Sequence, residues 1–199
     1  MMSHRPMNWL AHLYLSDPDP CTRIGNLLPD VIRQNELRVV PEEFQHGIGQ
    51  HRAVDRFTDA HPVFRRSVAR FHPPLRRYAP ILVDIIYDHF LASLWPRYSS
   101  DDLVSFVARF HRSLDHEGRA LPRRARERLA QIRDGGWLLS YADLDGVATA
   151  LRRTGMRLRK PAPLDEAVTV VRAAYEDFRA DFEAFFPELR SHLAGIRTD

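Results

Sequence analysis

Tyr78-Ala79-Pro80-Ile81-Leu82-Val83-Asp84-Ile85-Ile86-Tyr87-Asp88-His89-Phe90-Leu91-Ala92-Ser93-Leu94 is the most apolar stretch of the chain. Its apolar residues fall on most sides of a helix, so the pattern predicts a buried central helix. Yet the stretch carries Asp84, Asp88 and His89. An unpaired buried carboxylate costs several kcal/mol, so these acids need a metal, an arginine or a hydrogen-bond network. Asp88 and His89 are adjacent and point about 100° apart. Both reach one site only if it lies between their directions.

Helical signals continue on both sides. Met7–Leu15 has apolar residues at helical spacing and ends at Ser16-Asp17-Pro18-Asp19-Pro20. Ile24–Gln34 predicts a second helix, with a kink or late start at Pro29. Pro41 opens a long helix to about Ala60, with Glu42 and Glu43 in its first turn. Val63–Phe71 follows. Beyond the apolar stretch, Ser100-Asp101-Asp102 caps a helix from Leu103 to about His116. Pro122–Arg133 ends at Gly135-Gly136, and Trp137–Arg153 reads as one helix. Arg157–Pro163 is a basic loop. Asp165 caps a last helix to about Phe186, which Pro187 interrupts before a final turn near Leu193. No segment alternates like a half-buried strand. The fold class is therefore all-α: a single helical domain over 1–199 with about eight helices.

A chain of 199 residues supports one sizeable core and is too short for two comfortable domains. No apolar run approaches the roughly 18 residues that span a bilayer, and the N-terminus lacks a signal-peptide pattern. A cytoplasmic location without a membrane partner is expected. The single Cys21 excludes an intramolecular disulfide and a Cys-based zinc site, and reads as a free thiol in a loop. Basic residues barely exceed acids, 29 to 26, which argues against an Arg-rich nucleic-acid-binding module.

Three further groups precede the apolar stretch: Asn8-x-x-x-His12, Gly25-Asn26-Leu27-Leu28-Pro29-Asp30, and His51-Arg52-x-x-Asp55-x-x-Thr58-Asp59. Residues four apart share a helix face. His51, Asp55 and Asp59 form one stripe that drifts by about 40° per step. Arg52 and Arg56 can take its wet side. Any one group alone reads better as an exposed polar face or a satisfied core residue. Together, confined to the first half of the chain, they point to a His/carboxylate pocket. Such ligands suit a divalent metal, which can activate water.

These motifs resemble the acyl carrier protein phosphodiesterase family. The resemblance rests on Asn8-Trp9-Leu10-Ala11-His12-Leu13, Gly25-Asn26-Leu27-Leu28-Pro29-Asp30, Gly47-Ile48-x-x-His51-Arg52-x-x-Asp55-x-x-Thr58-Asp59 and Asp84-Ile85-Ile86-Tyr87-Asp88-His89-Phe90-Leu91-Ala92-x-x-Trp95. The last hundred or so residues match only loosely. The resemblance implies removal of 4'-phosphopantetheine from holo acyl carrier protein by phosphodiester hydrolysis. It implies a divalent cation, manganese favoured and magnesium usable, and a likeness to the all-α HD phosphohydrolases. Here the adjacent pair reads Asp88-His89, the reverse of the usual His-Asp doublet.

On that reading the expected metal ligands are Asp30, His51, Asp55, Asp88 and His89, with Asp30 alternatively the base on the attacking water. His12 would protonate the leaving serine oxygen and Arg52 would hold the phosphate. Asn8, Asn26, Asp59 and Asp84 would orient these groups. Acyl carrier proteins are strongly acidic, and Arg65, Arg66, Arg70, Arg76 and Arg77 are the expected docking residues. An HD-type enzyme acting on a nucleotide or small phosphate ester is the rival reading that the pocket residues leave open.

Overall fold

A computed structural model describes residues 8–158 and 160–196. His4 and Met7 lie outside them. The described residues hold eleven α-helices and no strand. In chain order these are α1 (Trp9–Leu15), α2 (Pro20–Val31), α3 (Gln45–Ala60), α4 (Pro62–Ala69), α5 (Ala79–Ser93) and α6 (Leu103–His116). They continue with α7 (Arg123–Asp134), α8 (Trp137–Ser140), α9 (Leu144–Arg157), α10 (Ala167–Ala173) and α11 (Tyr175–Ile196). The apolar stretch is α5, buried along nearly its whole length, with α1, α4, α9 and α11 packed on it. Phe178, Phe182, Phe185 and Phe186 of α11 complete the core around it.

The count exceeds eight for local reasons. α2 begins four residues before Ile24, because Asp19 accepts from the Thr22 N–H and Pro20 takes the first helical position. Cys21 therefore sits in a helix and not in a loop. Residues 137–153 divide because Asp143 caps α9 by accepting from the Gly146 N–H, leaving α8 as a separate turn. The last stretch divides at Ala174, while Pro187 lies inside an unbroken α11. Leu189 and Leu193 beyond it are buried, and that burial offsets the missing hydrogen bond.

Three long-range devices set the helices around α5. The buried Asp88 carboxylate accepts from the N–H groups of Leu10 and Ala11, both at 2.8 Å, and so ties down the start of α1. α2 and α3 cross at Gly25 and Gly47. A Cβ on Gly47 would lie 2.0 Å from the Thr22 carbonyl oxygen, and one on Gly25 would lie 2.2 Å from that of Phe44. Only glycine permits so close an approach of backbones. Finally, buried Asp181 of α11 accepts from Arg66 Nε, Ser67 Oγ and Arg70, locking α4 against α11.

Candidate metal centre

α1, α2 and α3 converge on one point. His12 of α1 and His51 of α3 stack with ring centroids 4.1 Å apart and planes 15° off parallel. Both rings are anchored by Asn26 of α2. The His12 Nδ1 lies 2.8 Å from Asn26 Oδ1, and the His51 Nδ1 lies 2.7 Å from the Asn26 main-chain oxygen. The Asn26 amide nitrogen donates to Ser16 Oγ, which in turn donates to the His12 carbonyl. That relay turns the amide oxygen toward His12. Both Nδ1 atoms are then donors, and in the neutral rings both Nε2 atoms carry a lone pair.

Those lone pairs face Asp55. His51 Nε2 is 3.1 Å from Asp55 Oδ2, and His12 Nε2 is 3.5 Å from Asp55 Oδ1. One ligand atom from each of the three residues lies within 4.8 Å of the others. Lone pairs brought this close repel unless they share a cation, a proton or a metal ion. The His12 Nε2 is buried and makes no hydrogen bond. Burial first, and then the neighbouring His51, hold the His12 pKa below its ordinary value. Burial also opposes a charge on His51, but Asp55 and Asp30 outweigh it and raise its pKa. Asp55 resists burial in the same way, and the two imidazoles hold its carboxyl well below the usual range. A divalent cation fits this donor set: two oriented imidazoles and a carboxylate, with their second nitrogens bound to Asn26.

Asp30 stands beside the group. Its Oδ1 lies 3.7 Å from His51 Nε2, and its Oδ2 accepts from the Trp9 indole N–H at 3.1 Å. Asp84 of α5 is buried nearby. Burial, then the charges of Asp55, Asp30, Asp88 and Asp59, push its carboxyl well above the usual range. Asp55 opens to solvent, with 27% of its side chain exposed. Arg52 and Asp59, one turn before and after it, are exposed on that rim. Asn8 Oδ1, Thr58 Oγ1 and the Tyr141 hydroxyl are buried without a hydrogen-bond partner among the described residues. Burial, then the charges of Asp88 and Asp30, push the Tyr141 hydroxyl well above its ordinary pKa. Groups in that condition normally meet water or ligand.

Asp88 and His89 are placed differently from the expected ligand set. Both Asp88 oxygens are engaged by α1. His89 Nδ1 donates to the Tyr141 carbonyl and Nε2 lies 3.0 Å from the Tyr175 hydroxyl, so both of its ring nitrogens are in use. Of the expected docking residues, Arg66 and Arg70 fold onto Asp181, while Arg65, Arg76 and Arg77 are exposed. Sequence reasoning missed Tyr141, Trp9 and Ser16. Only Trp9 had a usable signal, being adjacent to Asn8 inside a quoted motif.

A family model described as acyl carrier protein phosphodiesterase matches residues 7–189. The chain belongs to the acyl carrier protein phosphodiesterase family. Relatives of that name include one from Photorhabdus laumondii, 34% identical over 91% of this chain and 92% of its own length. Another, from Pectobacterium atrosepticum, is 30% identical over 92% and 95% of the two chains. A third, from Yersinia enterocolitica, is 32% identical over 93% and 96%. No solved structure matches. The family is one of enzymes, and its match spans every residue of the centre. No helix of the described residues is long and apolar enough to cross a membrane.

Within the centre, Asn26 orients both histidine rings. Asn26→Ala is expected to release the His12 ring while leaving the main-chain bond to His51. Metal affinity should fall by about 10–100-fold, the range for lost outer partners of a ligand. Manganese titration by calorimetry checks this, and unchanged affinity would exclude the anchoring role.

Proposed function

We propose that this protein hydrolyses the phosphodiester of holo acyl carrier protein, giving apo carrier protein and free 4'-phosphopantetheine. The observation that carries the reading is the pair of stacked histidines aimed at one carboxylate, in a chain of this family. His12, His51 and Asp55 would hold a divalent cation, with Asp30 beside them. Two imidazoles favour manganese over magnesium, which prefers oxygen ligands. When bound, the ion supplies charge at the phosphoryl oxygens and a water acidified for attack.

The chain's own groups do the rest. Asn26 keeps both Nδ1 atoms protonated, so both Nε2 atoms stay available. This supports cation binding by His12 over proton donation. Asp30, steadied by the Trp9 indole, has Oδ1 on the pocket side to accept a proton from water. Arg52 stands at the open edge of Asp55, where an arriving phosphate would meet a guanidinium fork. Asp59 would add negative charge on the rim, and the buried Asp84 carboxyl lies close to Asp55 and Asp30. Asp88 and His89 position α1 and the α8–α9 link.

Mass spectrometry of holo acyl carrier protein incubated with the protein and manganese, with a chelator control, tests the reading. The expected result is loss of the phosphopantetheine mass only with metal. An intact holo protein, with turnover of a small phosphate ester by the same sample, would replace it with a small-molecule phosphohydrolase.

A further inference from the structure

α6, α7 and the 3-10 turn between them, residues 103–134, carry eight arginines against four acids. Four of these arginines, Arg112, Arg119, Arg126 and Arg128, are exposed and form no ion pair among the described residues. An uncompensated basic face of this size attracts an acidic partner and speeds its arrival. By contrast, the α4 stretch loses Arg66 and Arg70 to the buried Asp181.

The face also has relief. Between α6 and α7 lies a cavity of about 220 Å³. Leu114, Leu129 and Ala130 give it apolar walls, and Arg119, Arg126 and Arg133 line it with positive charge. Asp115 lines it too, but is already paired with Arg133. On the other side of α7, Arg123, Arg124, Glu127 and Arg128 border an open cleft of about 530 Å³, in which Arg123 is paired with Glu127 and Arg124 with Glu36. An apolar socket bordered by arginines suits an amphipathic acidic segment: an apolar side chain enters, and flanking carboxylates meet the guanidinium forks. The face is also continuous with the centre. α6, α7 and the turn between them all pack on α2, the helix that holds Asn26 and Asp30.

We propose that the α6–α7 face docks an acidic protein, which, on the functional reading above, is the carrier protein itself. Arg119 and Arg126 pair with its carboxylates and the cavity between them takes one of its apolar side chains. The face that the sequence suggested, Arg65, Arg76 and Arg77, is the competing location.

Fluorescently labelled holo acyl carrier protein is titrated with the wild-type protein, with R119E/R126E and with R65E/R77E. The expected result is a Kd raised about tenfold or more by R119E/R126E and by less than about twofold by R65E/R77E. The wild-type affinity should also weaken with added salt. All four side chains are exposed, so thermal unfolding should match the wild type. An unchanged Kd for R119E/R126E overturns the proposal, as does an equal or larger effect of R65E/R77E. So does a wild-type protein that binds duplex DNA through Arg119 and Arg126 and not the carrier protein. Because binding is read apart from turnover, the two ideas fail separately. Tight, Arg126-dependent binding without release of phosphopantetheine would sink the hydrolysis and leave the docking face standing.

Discussion

Asp55→Asn is expected to abolish manganese binding and to lower turnover by more than about a hundredfold, beyond the loss typical of an outer-sphere partner. Asp55 is where both histidine lone pairs point, at 3.1 Å from His51 and 3.5 Å from His12. An amide of the same shape removes the negative charge and offers N–H groups to one imidazole at most. Two neutral rings would then be left with one neutral oxygen, a poor site for a hard divalent ion. The side chain is partly exposed, so the swap opens no cavity and helix content should be unchanged. Manganese titration with circular dichroism as a folding control decides the matter. A folded variant that binds manganese like the wild type would place the cation elsewhere.

Gly47→Ala should destabilise the protein by about 3 kcal/mol, at the upper end for overpacked positions. A Cβ there would meet the Thr22 carbonyl oxygen at 2.0 Å and the Asn26 amide nitrogen at 2.7 Å. Both are main-chain atoms of α2, so no side chain can swing aside. Relief requires α2 and α3 to separate. The hydrogen bond from His51 to the Asn26 carbonyl crosses the same seam, so the centre loosens with the core. Urea unfolding gives the first number and manganese affinity the second. Gly49, whose Cβ would meet nothing within 4 Å, is the control: Gly49→Ala should be neutral or slightly stabilising. A wild-type midpoint for Gly47→Ala would mean that the crossing is looser than its geometry.

The all-α class was legible because α5 is apolar on most sides and because caps such as Asp102 and Asp19 stand next to periodic runs. The extra breaks were harder. Asp143 could be read as a surface acid until its bond to the Gly146 N–H defines where α9 begins. Helix spacing correctly groups residues of one helix, and His51 with Asp55 came out on one stripe for that reason. It says nothing about which stripes from different helices meet. Asp88 and Asp55 look alike in sequence, each an acid four residues from another acid or a histidine. Only the packing of α1 on α5 sends Asp88 to main-chain N–H groups. Arg66 and Arg70 were read as docking residues because their partner, Asp181, lies more than a hundred positions further on.

α1 has seven residues, about half the length at which an isolated helix begins to hold in water. Its start hangs on a carboxylate 78 positions later in the chain. On the ribosome, then, His12 is made well before α5, and the carboxylate that seats its helix follows only with α5. A nascent chain stopped before Asp88 carries His51, Asp55 and Asn26 and still lacks a closed centre. The order of synthesis therefore delays the centre: a shortened product ending upstream of α5 lacks the carboxylate that seats α1.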